Sequence, residues 1–329
     1  VRRAILVVKR FWTKHAAVAD LVVGLVGAVC LLAAAAAEGG RWSPRLDLLA
    51  NAAPIFLVGA FAVLAYGLTA APRRRLLLSL VGVGGLIAGT PLVLPEFTRP
   101  IPSPPASASE VRLTVIEFNA WGANPTPGLA ATWLTSRQPD IIVVEDVSAL
   151  LANDLVNHGY QLTQGIGDTA IFSRRPPDPK PPVVPSSLWP QLPSFARATF
   201  ESHGRAFSVI GVHLKRPYRP GIFVGADAFS ALVASMDHRR LIIAGDFNLT
   251  PWTFALRRLD TQLGLERRDR ALFSWPATVP GGGGLISPAP FLPIDHIFAG
   301  SAWRTESLEL GPKLGSDHYP IIATLALEA

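Results

Sequence analysis

Cysteine, methionine and tyrosine are scarce in this chain of 329 residues, which holds one, one and four of them respectively. The single cysteine, Cys30, lies in an apolar run away from every polar motif. A disulfide framework and thiol chemistry are therefore excluded. Charged residues are also few, at 16% of the chain, and residues 21–37, 48–71 and 76–95 have none. No segment repeats, which excludes a solenoid or a propeller.

Each charge-free stretch is about long enough to cross a hydrocarbon core of roughly 30 Å. A buried helix of a soluble protein would show a polar face, and these show none. They predict three transmembrane helices, at about residues 17–37, 48–71 and 76–95 of a membrane anchor spanning residues 1–95. Arg2, Arg3, Lys9, Arg10 and Lys14 precede the first; Arg73, Arg74 and Arg75 separate the second and third. The intervening loop mixes Arg41 and Arg45 with Glu38 and Asp47. The positive-inside rule then puts the amino terminus and the Arg73 loop in the cytoplasm and everything after the third span outside. The first segment also fits a signal peptide cut near Ala35-Ala36-Ala37, with the same outcome. Residues 96–110, rich in Pro, Ser and Ala, read as a semi-rigid linker to a domain at 111–329. Residues 1–110 hold 11 Lys/Arg and 5 Asp/Glu, whereas 111–329 hold 19 of each. The net charge of +6 thus belongs to the anchor and is no sign of a nucleic-acid surface.

The outer domain is organised around residues 241–248, an apolar run ending in Gly245-Asp246-Phe247-Asn248. This reads as a buried strand that delivers Asp246 and Asn248 to one face of its open end, with Gly245 allowing close backbone approach. Other expected strands end alike: 111–118 at Asn119, 140–144 at Glu145 and Asp146, and 205–213 at His213. Residues 169–173 form another, leading into Arg174 and Arg175, and 196–201 pair with 205–213 as a hairpin turning at Ser202-His203-Gly204. Helices are expected at 129–137, 225–236 and 254–263, a glycine loop at 281–284, and the last two strands around Asp295 and after Asp317-His318. The pattern predicts two sheets packed face to face with helices outside. Taken singly, each polar residue has an ordinary explanation as a turn, a cap or a satisfied core group. Carboxylates at nearly every strand end do not, because buried carboxylates are rare without a partner.

Together these motifs resemble the endonuclease/exonuclease/phosphatase superfamily, the DNase I-like fold. The resemblance runs from residue 111 onward. It is carried in family order by Phe118-Asn119, Pro139 to Val147, Ala170 to Arg174, Gly211-Val212-His213-Leu214, Gly245 to Asn248, Pro293-Ile294-Asp295-His296 and Gly315 to Pro320. It implies a four-layer α/β (α+β) sandwich that hydrolyses a phosphate ester with Mg²⁺ or Mn²⁺. By implication His318, oriented by Asp295, contacts the scissile phosphate. Asp246 orients or deprotonates the attacking water, and Asn248, His213 and Arg174 hold substrate. Asn119, Asp146, Glu145 and Asp317 surround the metal. The family carries Gln-Glu or Glu-Glu where this chain has Glu145-Asp146. Asp146 takes the metal-binding place with one methylene fewer, and Glu145 stays as an alternative ligand. The set of spans is similar to a membrane-anchored bacterial branch, which implies a plasma-membrane protein with its catalytic domain outside the cytoplasm.

The resulting expectation is a membrane-anchored phosphoesterase whose partners are a phosphate-ester substrate and the lipid bilayer, with no obligate protein partner. A nuclease and an inactive binding or scaffold protein on the same fold are the alternatives. A transporter would need polar groups within the spans, and only Asn51 and a few Ser and Thr occur there. Arg174, Arg175, Lys215, Arg216 and Arg219 are candidates for a local phosphate-binding patch. Trp189, Phe195, Trp252 and Phe291 are candidates for a mouth that takes a lipid headgroup.

Overall fold

The computed structural model describes residues 2–70, 72–100, 111–179, 184–202, 204–219, 221–279, 285 and 287–327. Most of the expected linker (101–110), His203 and the glycine loop at 281–284 lie outside these residues. The chain divides into two compact units, residues 1–98 with 252–254 and residues 99–251 with 255–329.

The first unit is helical: α1 (Arg2–Glu38), α2 (Pro44–Ala50), α3 (Ala53–Thr69) and α4 (Pro72–Thr98). Two stretches, Ala17–Arg41 and Arg74–Thr98, are long and apolar enough to cross a membrane. The second expected span, at about 48–71, is instead a pair, α2 and α3, bent by 58°. The bend falls where Asn51 turns its side chain back onto the Leu48 carbonyl (3.1 Å) and Pro54 opens α3. α4 runs past its expected end at residue 95, although it contains Pro91 and Pro95. Proline removes one helical hydrogen bond; near the end of the helix the Thr98 hydroxyl donates to the Leu94 carbonyl (3.1 Å). Small residues bring α3 and α4 together: any side chain at Gly82 would collide with the Leu64 backbone. At one end Tyr66 donates to Asp20 (2.9 Å), and Arg74 pairs with the same carboxylate, joining α1, α3 and α4.

The second unit runs β1 (Val111–Asn119), α5 (Pro127–Ser136), β2 (Ile141–Glu145), α6 (Ala149–Asn157), β3 (Gln161–Gln164), β4 (Ala170–Ser173), β5 (Ser194–Ser202), β6 (Arg205–His213), α7 (Ile222–Ala234), β7 (Leu241–Asp246), α8 (Phe254–Leu263), β8 (Glu266–Arg267), β9 (Asp295–Ala299), β10 (Trp303–Leu310) and β11 (Ile321–Leu327). One sheet has the order β10-β11-β1-β2-β4-β3 and the other β5-β6-β7-β9-β8. Between the sheets lies a core to which both contribute, including Val115, Val143, Val209, Ala244, Ile297 and Ala323. Ile116, Ile142 and Val144 point the other way, against α5 and α6. Ile210, Ile243 and Phe298 likewise pack against α7 and α8. The architecture is therefore the expected four layers, helix–sheet–sheet–helix. The Gly245 close approach is also present: a Cβ there would strike the Val212 carbonyl of the neighbouring strand.

Sequence periodicity missed α6, β3, β8 and β10. β3 is an edge strand with mostly exposed residues, and β10 is buried at Trp303–Arg304 but largely polar after them. Edge strands shed the apolar alternation that makes inner strands legible, because an apolar edge invites pairing with other chains.

Candidate active site

The site follows from strand parity. On β1, Val111, Leu113 and Val115 face the inter-sheet core, so Glu117 and Asn119 continue that row. On β2, Glu145 follows Ile141 and Val143; on β6, His213 follows Phe207 and Val209; on β7, Asp246 follows Ile242 and Ala244. β9 runs antiparallel to β7 with Asp246 opposite Asp295, so its first residue reaches the same end. Five strands thus finish an apolar inner row with a polar residue at one mouth. His296, one residue along β9, faces the opposite way. There it meets Asp269 (2.7 Å) and the carbonyl of Leu249 (2.9 Å), tying β9 to the loop that carries Asn248.

Asp246 is the hub and is almost fully buried. Its Oδ1 accepts the Asn248 backbone N–H at 2.8 Å. Its Oδ2 accepts the Asn119 amide at 3.0 Å and the Asn248 amide at 3.1 Å. Asn248 holds this position with a left-handed backbone (φ 52°) and a second bond to the Leu214 carbonyl (2.8 Å). Two histidines flank the hub, with Nε2 of His213 at 3.6 Å and of His318 at 3.8 Å from Asp246 Oδ2. Each is backed by a carboxylate on Nδ1: Asp168 at 3.2 Å for His213, and Asp295 at 2.9 Å for His318. Ser316 accepts the His318 backbone N–H and donates to the Asn119 carbonyl, locking the last loop to β1.

The charges act on one another. Burial opposes protonation of His213, but the Asp168 hydrogen bond and the Asp246, Asp168 and Glu145 charges outweigh it and push its pKa up to about 10. Burial likewise opposes His318, and Asp295 and then Asp246 push it up to about 9. Burial, then repulsion from Asp295, raises Asp246 to about 6 against the pull of both histidines. The mouth therefore presents two cationic imidazoles around one base near neutrality. This arrangement suits an anionic group and a water to be deprotonated.

Residues 116–318 match the Endonuclease/Exonuclease/phosphatase family. The chain belongs to this family. Hydrolysis of phosphate esters is the family's activity. Among solved structures, family proteins from Bacteroides vulgatus (16% identity, TM-score 0.52, covering 66% of this chain and 100% of that one) and Bacteroides thetaiotaomicron (17%, 0.51, 67% and 100%) share the fold. So does one from Beutenbergia cavernae, with 19% identity, a TM-score of 0.51 and coverage of 66% and 72%. No curated protein matches the chain.

Most of the site residues expected from the sequence converge here. Asn119, Asp246, Asn248, His213, Asp295 and His318 form one hydrogen-bonded and ion-paired cluster. Arg174 does not join it. It follows Ser173, which pairs with Ile141 at the start of β2, whereas the site lies at the end of β2. Four residues of strand, about 13 Å, separate the two ends. Arg174 is exposed and donates to the Gln138 carbonyl (3.4 Å), and Arg175 binds Ser202 (2.6 Å). Arg216, another member of the expected basic patch, donates to the Tyr218 hydroxyl (3.3 Å) and also feels the charges of Asp317 and Asp246. Of the four aromatics, Phe195 and Trp252 are buried, while Trp189 and Phe291 are exposed. Phe291 lies against Trp275, whose indole N–H donates to Asp317 (3.2 Å).

Sequence reading overlooked Asp168 and Glu117. Asp168 precedes β4, whose first residue pairs with Val144 near the end of β2. An acid at the start of an antiparallel strand reaches the same mouth as an acid at the end of its neighbour. Glu117 had a plain signal, since it stands two residues before Asn119 on the same face. Its carboxyl and that of Glu145 are fully buried and meet each other, with no other hydrogen-bond partner among the described residues. Burial foremost pushes both well above the usual carboxylate range, and the Asp295 and Asp246 charges add to the rise.

The residues fit the divalent cation on which the family generally depends. Asp146 is half-buried with a left-handed backbone (φ 49°). Ligand atoms of Asp146, Asp168 and His213 lie within 4.8 Å of one another, as do those of Asp246, Asp295 and His318. Asp317 belongs to neither group. Each group offers two carboxylates and one histidine nitrogen, and the carboxylate oxygens are the hard donors that suit Mg²⁺ or Mn²⁺.

Proposed function

We propose that this protein is a membrane-anchored, metal-dependent phosphodiesterase whose catalytic unit lies outside the cytoplasm. The observation that carries the chemistry is the approach of both carboxylate-backed imidazoles to the same oxygen of Asp246. In this reading His213, His318 and the Asn248 amide bind the oxygens of the scissile phosphate. Asp246 takes a proton from water as it attacks phosphorus. The ester P–O bond breaks, and an imidazolium returns a proton to the departing alkoxide, so one ester and one water become a phosphate monoester and an alcohol. Asp295 and Asp168 keep the two rings oriented and charged. Asp146 and Asn119 would hold Mg²⁺ or Mn²⁺, with Asp317 beside them, and that ion would neutralise charge building on the phosphate. The orientation rests on the flanking arginines and lysines.

A substrate panel tests this reading: duplex and single-stranded DNA, RNA, sphingomyelin, phospholipids, inositol phosphates and bis-(p-nitrophenyl) phosphate, each with and without Mg²⁺. Metal-dependent turnover of at least one phosphodiester is expected, and its absence across the panel refutes the proposal. The even charge of residues 111–329 favours a small or lipid phosphodiester over a duplex. A nuclease would lose affinity steeply between low and moderate salt, so a flat salt response removes that reading.

A further inference from the structure

The proposed reaction gives no part to His296, although the fold buries its imidazole completely. On β9 it shares a face with Phe298 and lies in an apolar layer, its ring 5.6 Å from that of Phe247 and 6.4 Å from that of Phe298. A leucine or phenylalanine would fill such a place without desolvating a polar ring. Both ring nitrogens are used. Nε2 lies 2.9 Å from the Leu249 carbonyl and Nδ1 lies 2.7 Å from Asp269 Oδ2. A carbonyl only accepts, and so does an ionised carboxylate, so each ring nitrogen is a donor here. Asp269 is itself fully buried and held in place: its Oδ1 accepts the Ile297 N–H (3.0 Å), and Arg267 lies 3.5 Å from its Oδ2 and pairs in turn with Asp260 on α8 (3.3 Å). Burial would raise the Asp269 carboxyl, but His296, Arg267 and the Ile297 N–H hold it well below the usual carboxylate range, so it stays an acceptor.

Leu249 follows Asn248, whose left-handed backbone (φ 52°) places its amide on Asp246 and on the Leu214 carbonyl. The turn is gripped on both sides of Asn248: the Phe247 N–H donates to the Ile294 carbonyl (2.9 Å), and the Leu249 carbonyl accepts from His296. A non-glycine residue keeps a left-handed backbone only where its surroundings hold it there. We propose that His296, backed by Asp269, is a positioning residue that holds the Asn248 amide in place for the reaction without touching substrate. Consecutive residues of β9 then support two groups of the site from opposite faces of the strand. Asp295 faces the mouth and orients His318 (2.9 Å), while His296 faces the other layer and fixes the turn that presents Asn248. Without the imidazole the Leu249 carbonyl loses this donor, and the turn is held on one side of Asn248 only.

Asn248 owes its role at the phosphate to the phosphodiesterase reading, on which this proposal rests. The full chain in detergent is compared as the unsubstituted protein, His296→Leu, Asn248→Gly and the two substitutions together. Glycine accepts the left-handed backbone, so Asn248→Gly removes the amide without straining the turn. Turnover of bis-(p-nitrophenyl) phosphate at saturating Mg²⁺ should fall about 10- to 100-fold in His296→Leu, the scale of a small displacement of a binding group. In the Asn248→Gly background the same substitution should lower it less than about threefold, because the group it positions is already gone. A histidine that only stabilised the fold would lower turnover by the same factor in both backgrounds, and that result overturns the proposal. So does turnover in His296→Leu within about threefold of the original. Should His296→Leu fail to fold, Asp269→Asn takes its place in the cycle, and either no fall or an equal fall in both backgrounds overturns the proposal. Isotope labelling of asparagine follows the Asn248 amide by NMR, and its signal should move when His296 or Asp269 is substituted. A moved signal in a protein that turns over no phosphodiester would sink the phosphodiesterase reading alone; turnover with an unmoved signal would sink the positioning role alone.

Discussion

Asp246→Asn separates what Asp246 does for catalysis from what it does for stability. Three N–H donors converge on its two oxygens, from the backbone of Asn248 and the amides of Asn119 and Asn248. A carboxamide offers one oxygen and one NH₂, so either orientation points an N–H at a donor and leaves a buried polar group unsatisfied. That costs about 1–3 kcal/mol. The opposing term comes from charge. The rise of the Asp246 pKa from 3.8 to about 6 means that ionising it in the fold costs about 3 kcal/mol. A carboxyl whose pKa is raised by folding binds more protons folded than unfolded between pH 3.8 and about 6. Its contribution to stability therefore falls as pH rises through that window. The variant escapes this loss, so at pH 7 the two terms nearly cancel and its Tm should lie within a few degrees of the original. At pH 4 the charge term has faded, and the variant should be the less stable by about 1–3 kcal/mol. Turnover should fall by about two to four orders of magnitude, the scale of a positioned general base. Chemical denaturation at pH 4 and 7, with kcat on bis-(p-nitrophenyl) phosphate, measures both. Turnover within tenfold of the original would refute the role of Asp246. A variant less stable by the same amount at both pH values would refute the electrostatic argument.

The pH profile of kcat/KM should be bell-shaped, rising as Asp246 ionises near pH 6 and falling as His318 loses its proton near pH 9; a flat profile from pH 5 to 10 contradicts the assignment. Asp146→Ala should raise the Mg²⁺ or Mn²⁺ requirement and be partly rescued by excess metal, whereas His318→Ala should not be. Should metal rescue Glu145→Ala while Asp146→Ala is mild, the ion that faces substrate belongs to Glu145. Asp168→Asn removes the carboxylate whose hydrogen bond and charge help most to keep His213 protonated, so the His213 pKa followed by NMR should drop from about 10. A phosphatase reporter active only outside the cytoplasm should work when fused after residue 329 and stay silent in the Arg73 loop; the reverse pattern overturns the orientation.

The sequence by itself determined the family, the order of the motifs and most of the polar residues that the fold gathers at one mouth. Each inner strand ends its apolar alternation in a polar residue, and alternation is local information. Asp246, Asn248, His213 and Asp295 were legible for that reason, and so were the charge-free spans. What needed the tertiary structure was everything set by pairing between distant segments. Arg174 looked like a site residue because it follows a family motif. Only the antiparallel pairing of β4 with β2 sends it to the far end of the sheet. The same pairing brings Asp168 to His213, across 45 residues of chain. The sequence offered Glu145 and Asp146 as alternatives. In the fold they part, because β2 ends at Glu145 and the left-handed backbone of Asp146 turns its side chain toward Asp168 and His213. Glu117 had its signal in the alternation of β1, but that it meets the buried carboxyl of Glu145 follows only from the register of β1 with β2. Strand parity fixes which face a side chain takes, but register between strands fixes what it meets there.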